Sequence, residues 1–298
     1  GGIASIICFS LFLIFKYLLF DQIRIEYIFV CYGLFFVGLI EDLNISIKPL
    51  TRLISMIILI FLSLKISPLV IGNVDLQFLN LWLTSKIFMI IFIILCFLFI
   101  INGSNLIDGF NGLLGIHILI INFFLLLINK NELILQTIIT AQIIILLVFL
   151  MFNFPKAKIF MGDSGSYFFG ALTSINIILT HNTNPQISSF FFCILLYYVF
   201  FEVFFSFFRK LKLRKSPLKP DDQHLHMLVY KLIKKKYLNN YANPITSLFI
   251  NLFYLATVLP SLFFMQNGLL CKLWFTISII IYLISYKLLI KATNDESI

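Results

Sequence analysis

Charge is what this sequence has least of. Of its 298 residues, 12% are charged, about half the share of an ordinary soluble domain. Hydrophobic residues make up 61%, and mean hydropathy is +1.04, which excludes a water-soluble globule of common composition. Alternating apolar and polar stretches of about ten residues, the signature of a membrane barrel, are also missing. The five cysteines (Cys8, Cys31, Cys96, Cys193, Cys271) stand apart in apolar segments with no CxxC or Cys/His ligand spacing, so neither a disulfide frame nor a zinc site is indicated. There is no basic n-region of a signal peptide and no internal repeat, inverted or parallel. The chain opens on "GGIASIICF" rather than Met, and an N-terminal helix and loop are expected to be missing from it.

What remains is a series of long apolar runs. A bilayer core of about 30 Å takes about 20 apolar residues per helix, and backbone polar groups in lipid must be satisfied within the segment. The expected fold is therefore all-α: a polytopic membrane protein, with residues 1–298 forming a single transmembrane domain. Ten apolar segments can be drawn, at 3–20, 26–40, 52–64, 85–101, 112–128, 133–152, 166–181, 187–207, 244–264 and 268–290. Their connections alternate between two sides. Sixteen of the 22 lysines and arginines fall on the side that holds 41–51, 102–111, 153–165, 208–243 and the C-terminal tail. Positive residues accumulate in the cytoplasm, so this side is assigned to it.

The unusual loops all share that side. They are "GLIEDLN" (38–44), "NGSNLIDGFNG" (102–112), "NFPKAKIFMGDSGS" (153–166) and "SPLKPDDQHLHM" (216–227). The opposite face receives short, ordinary connectors. Glu202 lies inside an apolar segment, where an acid costs several kcal/mol unless it meets a wet or paired site.

Each loop has a chemical and a bland interpretation. Asp163 in "MGDSGS" either caps the helix that follows it or, with Asn105, gives oxygen ligands to a hard cation; magnesium typically takes one or two protein oxygens and fills its shell with water and phosphate. His224 and His226, two apart, suit a phosphate or pyrophosphate, or belong to a solvated loop. The adjacent acids Glu41 and Asp42 raise one another's proton affinity and suit a general base, or form a charged loop end with Lys48 and Arg52. Asn153 offers both donor and acceptor, as a pyrimidine edge requires. Phe160 is placed to stack on a base, a contact of about 1–3 kcal/mol, or is one more of the 36 phenylalanines facing lipid or core.

Taken together, "GGIA", "GLIED", "NLIDGFNGLLG", "FMGDSGS" and "SPLKPDDQHLH" resemble, in order and spacing, the polyprenyl-phosphate N-acetylhexosamine-1-phosphate transferases of glycosyltransferase family 4, and most of all the bacterial undecaprenyl-phosphate GlcNAc-1-phosphate transferases. The resemblance covers nearly the whole chain. It implies cytoplasmic catalytic loops in the bacterial inner membrane, a UDP-sugar donor, an undecaprenyl phosphate acceptor and release of UMP. It also implies magnesium, or manganese in its place. By this resemblance Asp163 is the metal-binding aspartate, helped by Asn105. Asp108 and Asn111 belong to the segment near the nucleotide, and Asn153 and Phe160 to the uracil contacts. Glu41 and Asp42 fall on the paired acids, Asp42 being the favoured proton acceptor. Lys48 falls on a phosphate-neutralising lysine, and His224 and His226 on the histidine motif. A homodimer is allowed; no nucleic-acid partner is expected.

The chain departs from that pattern at Glu41, Asn111, Glu202, Asp222 and Met227. Asp222 puts a negative charge where a basic residue is expected beside a phosphate site. The implied product starts a lipid-linked cell-envelope glycan, such as the lipopolysaccharide O-antigen. Two alternatives are a phospho-N-acetylmuramoyl-pentapeptide transferase and, from another class, a secondary transporter of an anionic solute, which calls for polar groups near mid-membrane and internal repeats. A catalytically inactive scaffold is a further reading, supported by Asp222 and Met227.

Overall fold

A computed structural model describes residues 1–20, 25–217, 221–236 and 241–294. Arg24 and Lys219, two of the charges used to orient the chain, and Leu218 and Pro220 of the "SPLKP" motif, lie outside the described residues. Among the described residues the regular structure is helical throughout. The helices are α1 (Gly2–Phe20), α2 (Ile25–Asp42), α3 (Pro49–Ile66), α4 (Gln77–Leu83), α5 (Lys86–Ile107), α6 (Leu113–Ile128), α7 (Leu133–Asn153), α8 (Gly162–Thr183), α9 (Ser189–Lys212), α10 (Leu225–Lys236), α11 (Ala242–Val258) and α12 (Gly268–Asn294). A 3-10 turn, Leu259–Phe264, extends α11. Ten of these follow the ten apolar segments in order. The other two are α4, of two turns, and the basic α10.

Seven helices are long and apolar enough to cross a membrane: α1, α3, α5, α7, α9, α11 with its extension, and α12. Length and composition thus carry seven spans where ten were expected. The physical reasons are local. Helix α2 holds Glu26, Glu41 and Asp42 within 18 residues; α6 has only 16 residues; and α8 is interrupted by serine, threonine and asparagine.

The polar residues of α8 are explained by where it lies. Sixteen of its 22 residues are buried. It packs chiefly on α2 and α5 and touches α1, α6, α7 and α9 as well. Its amides and hydroxyls therefore face protein rather than lipid: the Tyr27 hydroxyl donates to Asn176 Oδ1 (2.8 Å), Asn176 Nδ2 donates to Gln142 Oε1 (2.8 Å), and Gln142 Nε2 donates to Thr173 Oγ1 (3.1 Å). Outer helices do the opposite and leave large apolar side chains such as Leu18, Ile87 and Leu288 exposed, as a lipid-facing surface would.

Inter-helix hydrogen bonds sort the loops into two ends. At one end the α8 N-terminus meets Asp42 and Asn105, Gly112 meets Asn153, and Asn111 meets Asn243. At the other end Asn182 bonds Val70 and Gly72, Asp75 bonds Ser189, Asn129 bonds Thr180, and Ser188 bonds Met265. The ten long helices alternate between these two ends, as the order of the loops requires.

Candidate active site

The first end holds a small polar cavity of about 220 Å³. Its walls bring together Asn105 and Asp108 from the end of α5, Asn111 from the loop that follows, Asn153 and Phe160 from the α7–α8 connection, and Asp163 from the first turn of α8. Asn243, at the start of α11, closes the ring. Six sequence-selected residues thus share one cavity although 58 positions separate Asn105 from Asp163. A larger groove of about 800 Å³ runs between α1 and α7, but its lining holds no acid or base side chain, so volume alone does not locate the chemistry.

The α8 N-terminus is built from outside. Gly162 has φ +74° and a Cβ there would lie 2.7 Å from the Asp42 carboxylate, so both the left-handed turn and the close approach need glycine. Asp42, from the end of α2, then accepts the Asp163 N–H at 2.8 Å, the Ser164 N–H at 3.1 Å and the Ser164 hydroxyl at 2.5 Å. These are first-turn donors that no helix can satisfy internally. Gly38 permits this docking, because a Cβ on it would come within 2.5 Å of the Asp163 carbonyl. Asp42 therefore fills the capping role that the sequence offered to Asp163, and leaves the Asp163 carboxylate free for other partners.

Those partners are few. Asn105 Nδ2 donates to Asp163 Oδ1 at 2.8 Å and to Ser166 Oγ at 3.2 Å. An Arg52 guanidinium nitrogen lies 3.7 Å from Asp163 Oδ2 and 3.7 Å from Glu41 Oε1, and that glutamate oxygen is buried with no hydrogen bond. Burial first, then the charges of Asp163 and Asp42, push the Asp108 carboxyl well above the usual carboxylate range. The cluster has more acid than base. Among the described residues no group of three or more His, Cys, Asp or Glu side chains stands ready to cage a metal. Asp163 offers carboxylate oxygen, while Asn105 turns its amide Nδ2 toward it, so the hard oxygen donor here is the carboxylate. That suits a hard cation which keeps water or phosphate in its shell, and not a soft or fully caged one.

The remaining predicted residues fall less simply. Asn153 is buried, with Oδ1 accepting the Gly112 N–H (2.6 Å) and Nδ2 donating to the Ile159 carbonyl (2.8 Å), so both ends of its amide hold the two loops together and neither is offered to a base. Phe160 is 71% exposed at the cavity rim. Asn111 gives its side-chain N–H to the Pro155 carbonyl (3.0 Å) and its backbone N–H to Asn243 Oδ1 (2.7 Å). Lys48 is exposed ahead of α3 and is not part of the cavity wall.

His224 and His226 lie outside the cavity wall, in a second and closed cluster. His224 is 6% exposed and His226 fully buried. His224 Nδ1 is 2.9 Å from Glu202 Oε2, and its Nε2 is 3.3 Å from Asp221 Oδ1. Glu202 Oε1 accepts the Leu225 N–H at 3.1 Å, so this intramembrane acid ties the start of α10 to α9. Asp221 takes a two-pronged contact from Arg209 at 3.0 and 3.1 Å. Burial works against the charge of Asp221, but Arg209 outweighs it and holds the carboxyl below its usual range. Burial pulls the His226 imidazole down to about 4, so it is neutral near pH 7 and carries no charge toward a phosphate. Asp222 points outward and pairs with Lys231. In this arrangement His224 meets Glu202 and Asp221, and Asp222 meets Lys231.

Sequence reasoning passed over Asn243 and took Arg52 only as part of a charged loop end. Arg52 was legible as a base just inside α3 on the same side as Glu41, and Asn243 as an amide opening the apolar segment of α11.

The family model described as "Glycosyl transferase family 4" matches residues 24–181, just over half of the chain. The chain is 32% identical over 146 residues to the undecaprenyl-phosphate alpha-N-acetylglucosaminyl 1-phosphate transferase of Thermotoga maritima, covering 49% of this chain and 44% of that protein. It is 34% identical over 193 residues to the phospho-N-acetylmuramoyl-pentapeptide-transferase of Dictyoglomus turgidum, covering 60% and 58%. It is 33% identical over 131 residues to a probable undecaprenyl-phosphate N-acetylglucosaminyl 1-phosphate transferase of Bacillus subtilis, covering 43% and 36%. The chain spans about half the length of the curated relatives it matches.

Proposed function

The chain belongs to glycosyl transferase family 4, and from that premise we propose that it moves a sugar 1-phosphate, GlcNAc-1-phosphate or a related HexNAc-1-phosphate, from a UDP-sugar to undecaprenyl phosphate and releases UMP. The observation that carries this reading is the convergence of Asn105, Asp108, Asp163 and Phe160, from separate parts of the chain, on one cavity at one end of the bundle. The lysine and arginine bias supports a cytoplasmic position for that end and a plasma (inner) membrane location. Helices α2, α6 and α8 are taken to cross the membrane with the other seven, shielded by their neighbours.

In this reading the lipid phosphate enters sideways from the bilayer, between α2 and α3, toward Glu41 and Lys48. The UDP-sugar enters from the water, with its base over Phe160. One oxygen of the lipid phosphate bonds to the sugar-bearing phosphorus, the bond from that phosphorus to the bridging oxygen breaks, and UMP leaves. Asp163, with Asn105 fixing its rotamer, would hold magnesium or manganese, whose charge would offset that of the diphosphate. The chain's own part is positioning and electrostatics, which is most of what phosphoryl transfer asks. Asp42 holds the α8 N-terminus in place. Because its oxygens are engaged in that task, Glu41, whose Oε1 accepts no hydrogen bond, is assigned as acceptor of any proton on the lipid phosphate, in place of the Asp42 favoured by the sequence. His224 and His226 act by fixing α10 and not by touching substrate.

The test is incorporation of label. Membranes holding the protein, undecaprenyl phosphate, magnesium and UDP-[³H]GlcNAc, or another UDP-HexNAc, should yield labelled lipid; no labelled lipid with any UDP-HexNAc overturns the reading. A second reading, phospho-N-acetylmuramoyl-pentapeptide transfer, is favoured by the longer stretch aligned with the Dictyoglomus turgidum protein. Offering the UDP-muramoyl-pentapeptide in the same assay separates the two.

A further inference from the structure

Among the described residues, Arg52 is the cation that faces both Glu41 and Asp163, at 3.7 Å from each. It lies one turn into α3, whose first residue is Pro49, and no sequence motif singled it out. Its guanidinium is mostly shielded, with the side chain 25% exposed. At 3.7 Å neither contact is a hydrogen bond, so the guanidinium sits between two carboxylates and commits to neither. That geometry is what a movable counter-charge requires. A tight fork on one acid, like that of Arg209 on Asp221, would be fixed in place.

We propose that Arg52 is an internal counter-ion that stands in for the divalent cation at Asp163 and, once that charge is supplied, turns to the phosphate of the acceptor lipid beside Glu41. This rests on the transfer reading above for the identity of the anion, but not for the competition with metal. The physical chain is short. Two carboxylates that share one guanidinium in a half-buried site repel, and the positive charge beside both relieves the repulsion. A metal on Asp163 relieves it more strongly and, being a like charge, pushes the guanidinium away. Arg52 then has donors to spare in a planar fork that matches a phosphate, on the α3 side, where the transfer reading puts the lipid headgroup. Positive charge is so kept in the site before substrate arrives and is handed to substrate when it does.

The experiment reads metal binding directly, without turnover. Free Mn²⁺ is followed by its aqueous EPR signal during titration of the purified full chain in nanodiscs, with no nucleotide present. Removing a unit charge a few ångströms from the ligand carboxylate, at the intermediate dielectric of such a site, should tighten Mn²⁺ binding about tenfold in R52Q, while R52K stays within about twofold of the parent. Unchanged or weaker binding in R52Q, or the same shift in both variants, overturns the counter-ion role. R52K also keeps the proposal testable if R52Q does not fold, because Mn²⁺ should then raise the affinity of R52K and the parent for farnesyl phosphate alike; a rise in neither overturns it. In steady-state transfer, R52Q should raise KM for undecaprenyl phosphate at least tenfold and leave KM for the UDP-sugar within about twofold. An equal rise in both overturns the phosphate contact. If the parent chain makes no lipid product, the transfer reading fails, while the Mn²⁺ comparison still decides whether Arg52 opposes a metal.

Discussion

Two polar clusters lie near the same end of the bundle, and they are built on opposite terms. The one around Glu202, His224, Asp221 and Arg209 is closed by charge: acids alternate with bases at 2.9 to 3.3 Å and both nitrogens of His224 are engaged, and what is left buried without a hydrogen bond there, Arg209 Nε and the neighbouring His226 Nε2, is no carboxylate. The one around Asp163, Asp108, Asp42 and Glu41 is open, with more acid than base, a carboxylate oxygen without a hydrogen bond and a cavity in front of it. A closed cluster has spent its electrostatics on holding helices together. An open one is left with a charge to be met by something that is not protein, and functional sites are where such imbalance collects. The sequence offers both as strings of acids and histidines and cannot rank them.

The largest effect that bears on this contrast is expected from Asp163→Asn. It should leave the fold intact, because Asp42 and not Asp163 caps α8, and should lower transfer at least about a thousandfold, roughly 4 kcal/mol on the barrier. Label incorporation together with an unchanged melting temperature is the outcome that sustains the open site. More than a tenth of parental activity would remove Asp163 from it.

The closed cluster should respond in the other currency. Glu202→Leu keeps volume but strips partners from His224 Nδ1 and the Leu225 N–H, both buried. Leaving such groups unpaired should cost about 2–4 kcal/mol of stability, seen as a fall in melting temperature, while Mn²⁺ affinity stays within about twofold. If stability held and transfer vanished, the two clusters would have been assigned the wrong way round.

How far this could be read beforehand differs between fold and site. Helix order and the polar loops were legible because lipid dictates apolar runs of fixed length and because Lys and Arg sort between the two sides. The membership of the cavity was legible at Asn105, Asp108 and Asp163, where acid and amide interrupt apolar sequence without a local need. Length and composition alone carry seven helices across a membrane and not ten, in part because α8 is polar for a tertiary reason: it is wrapped by six other helices, which a hydropathy window does not register. The division of labour between Asp42 and Asp163 was not legible, since it depends on a positive φ at Gly162 and on α2 ending within 3 Å of α8. Arg52 was legible only as a charge near Glu41, because its other partner, Asp163, is distant in sequence.

A subtler test uses pH. Asp108 has its carboxyl raised by burial and by Asp163 and Asp42, so the folded state favours the protonated form. The sign follows: below the unfolded carboxylate range folded and unfolded chains are both protonated and nothing is lost; as pH climbs from there through the raised value, ionisation of Asp108 works against the fold. Metal-free protein should therefore lose stability over that interval, and Asp108→Asn should lose less of it. Identical pH profiles for the two in unfolding scans would mean that the cavity is not short of positive charge.

The smallest effect is the sharpest check on where the boundary of the site runs. The sequence places Asp222 beside a phosphate site as an unwelcome charge; the structure turns it outward, 72% exposed, onto Lys231 of α10. The Lys231 hydrogen bond holds the carboxyl below its usual range, so whatever the pair contributes is present above the unfolded carboxylate range and fades as pH falls through the folded value. An exposed pair of this kind is worth at most about 0.5–1 kcal/mol and less in salt. Asp222→Asn should therefore move the melting temperature by a degree or two at low ionic strength, and leave KM for both substrates unchanged. A marked drop in KM for the UDP-sugar would instead show that the α9–α10 connection swings its acids toward the cavity during turnover, and the closed cluster would then be closed only at rest.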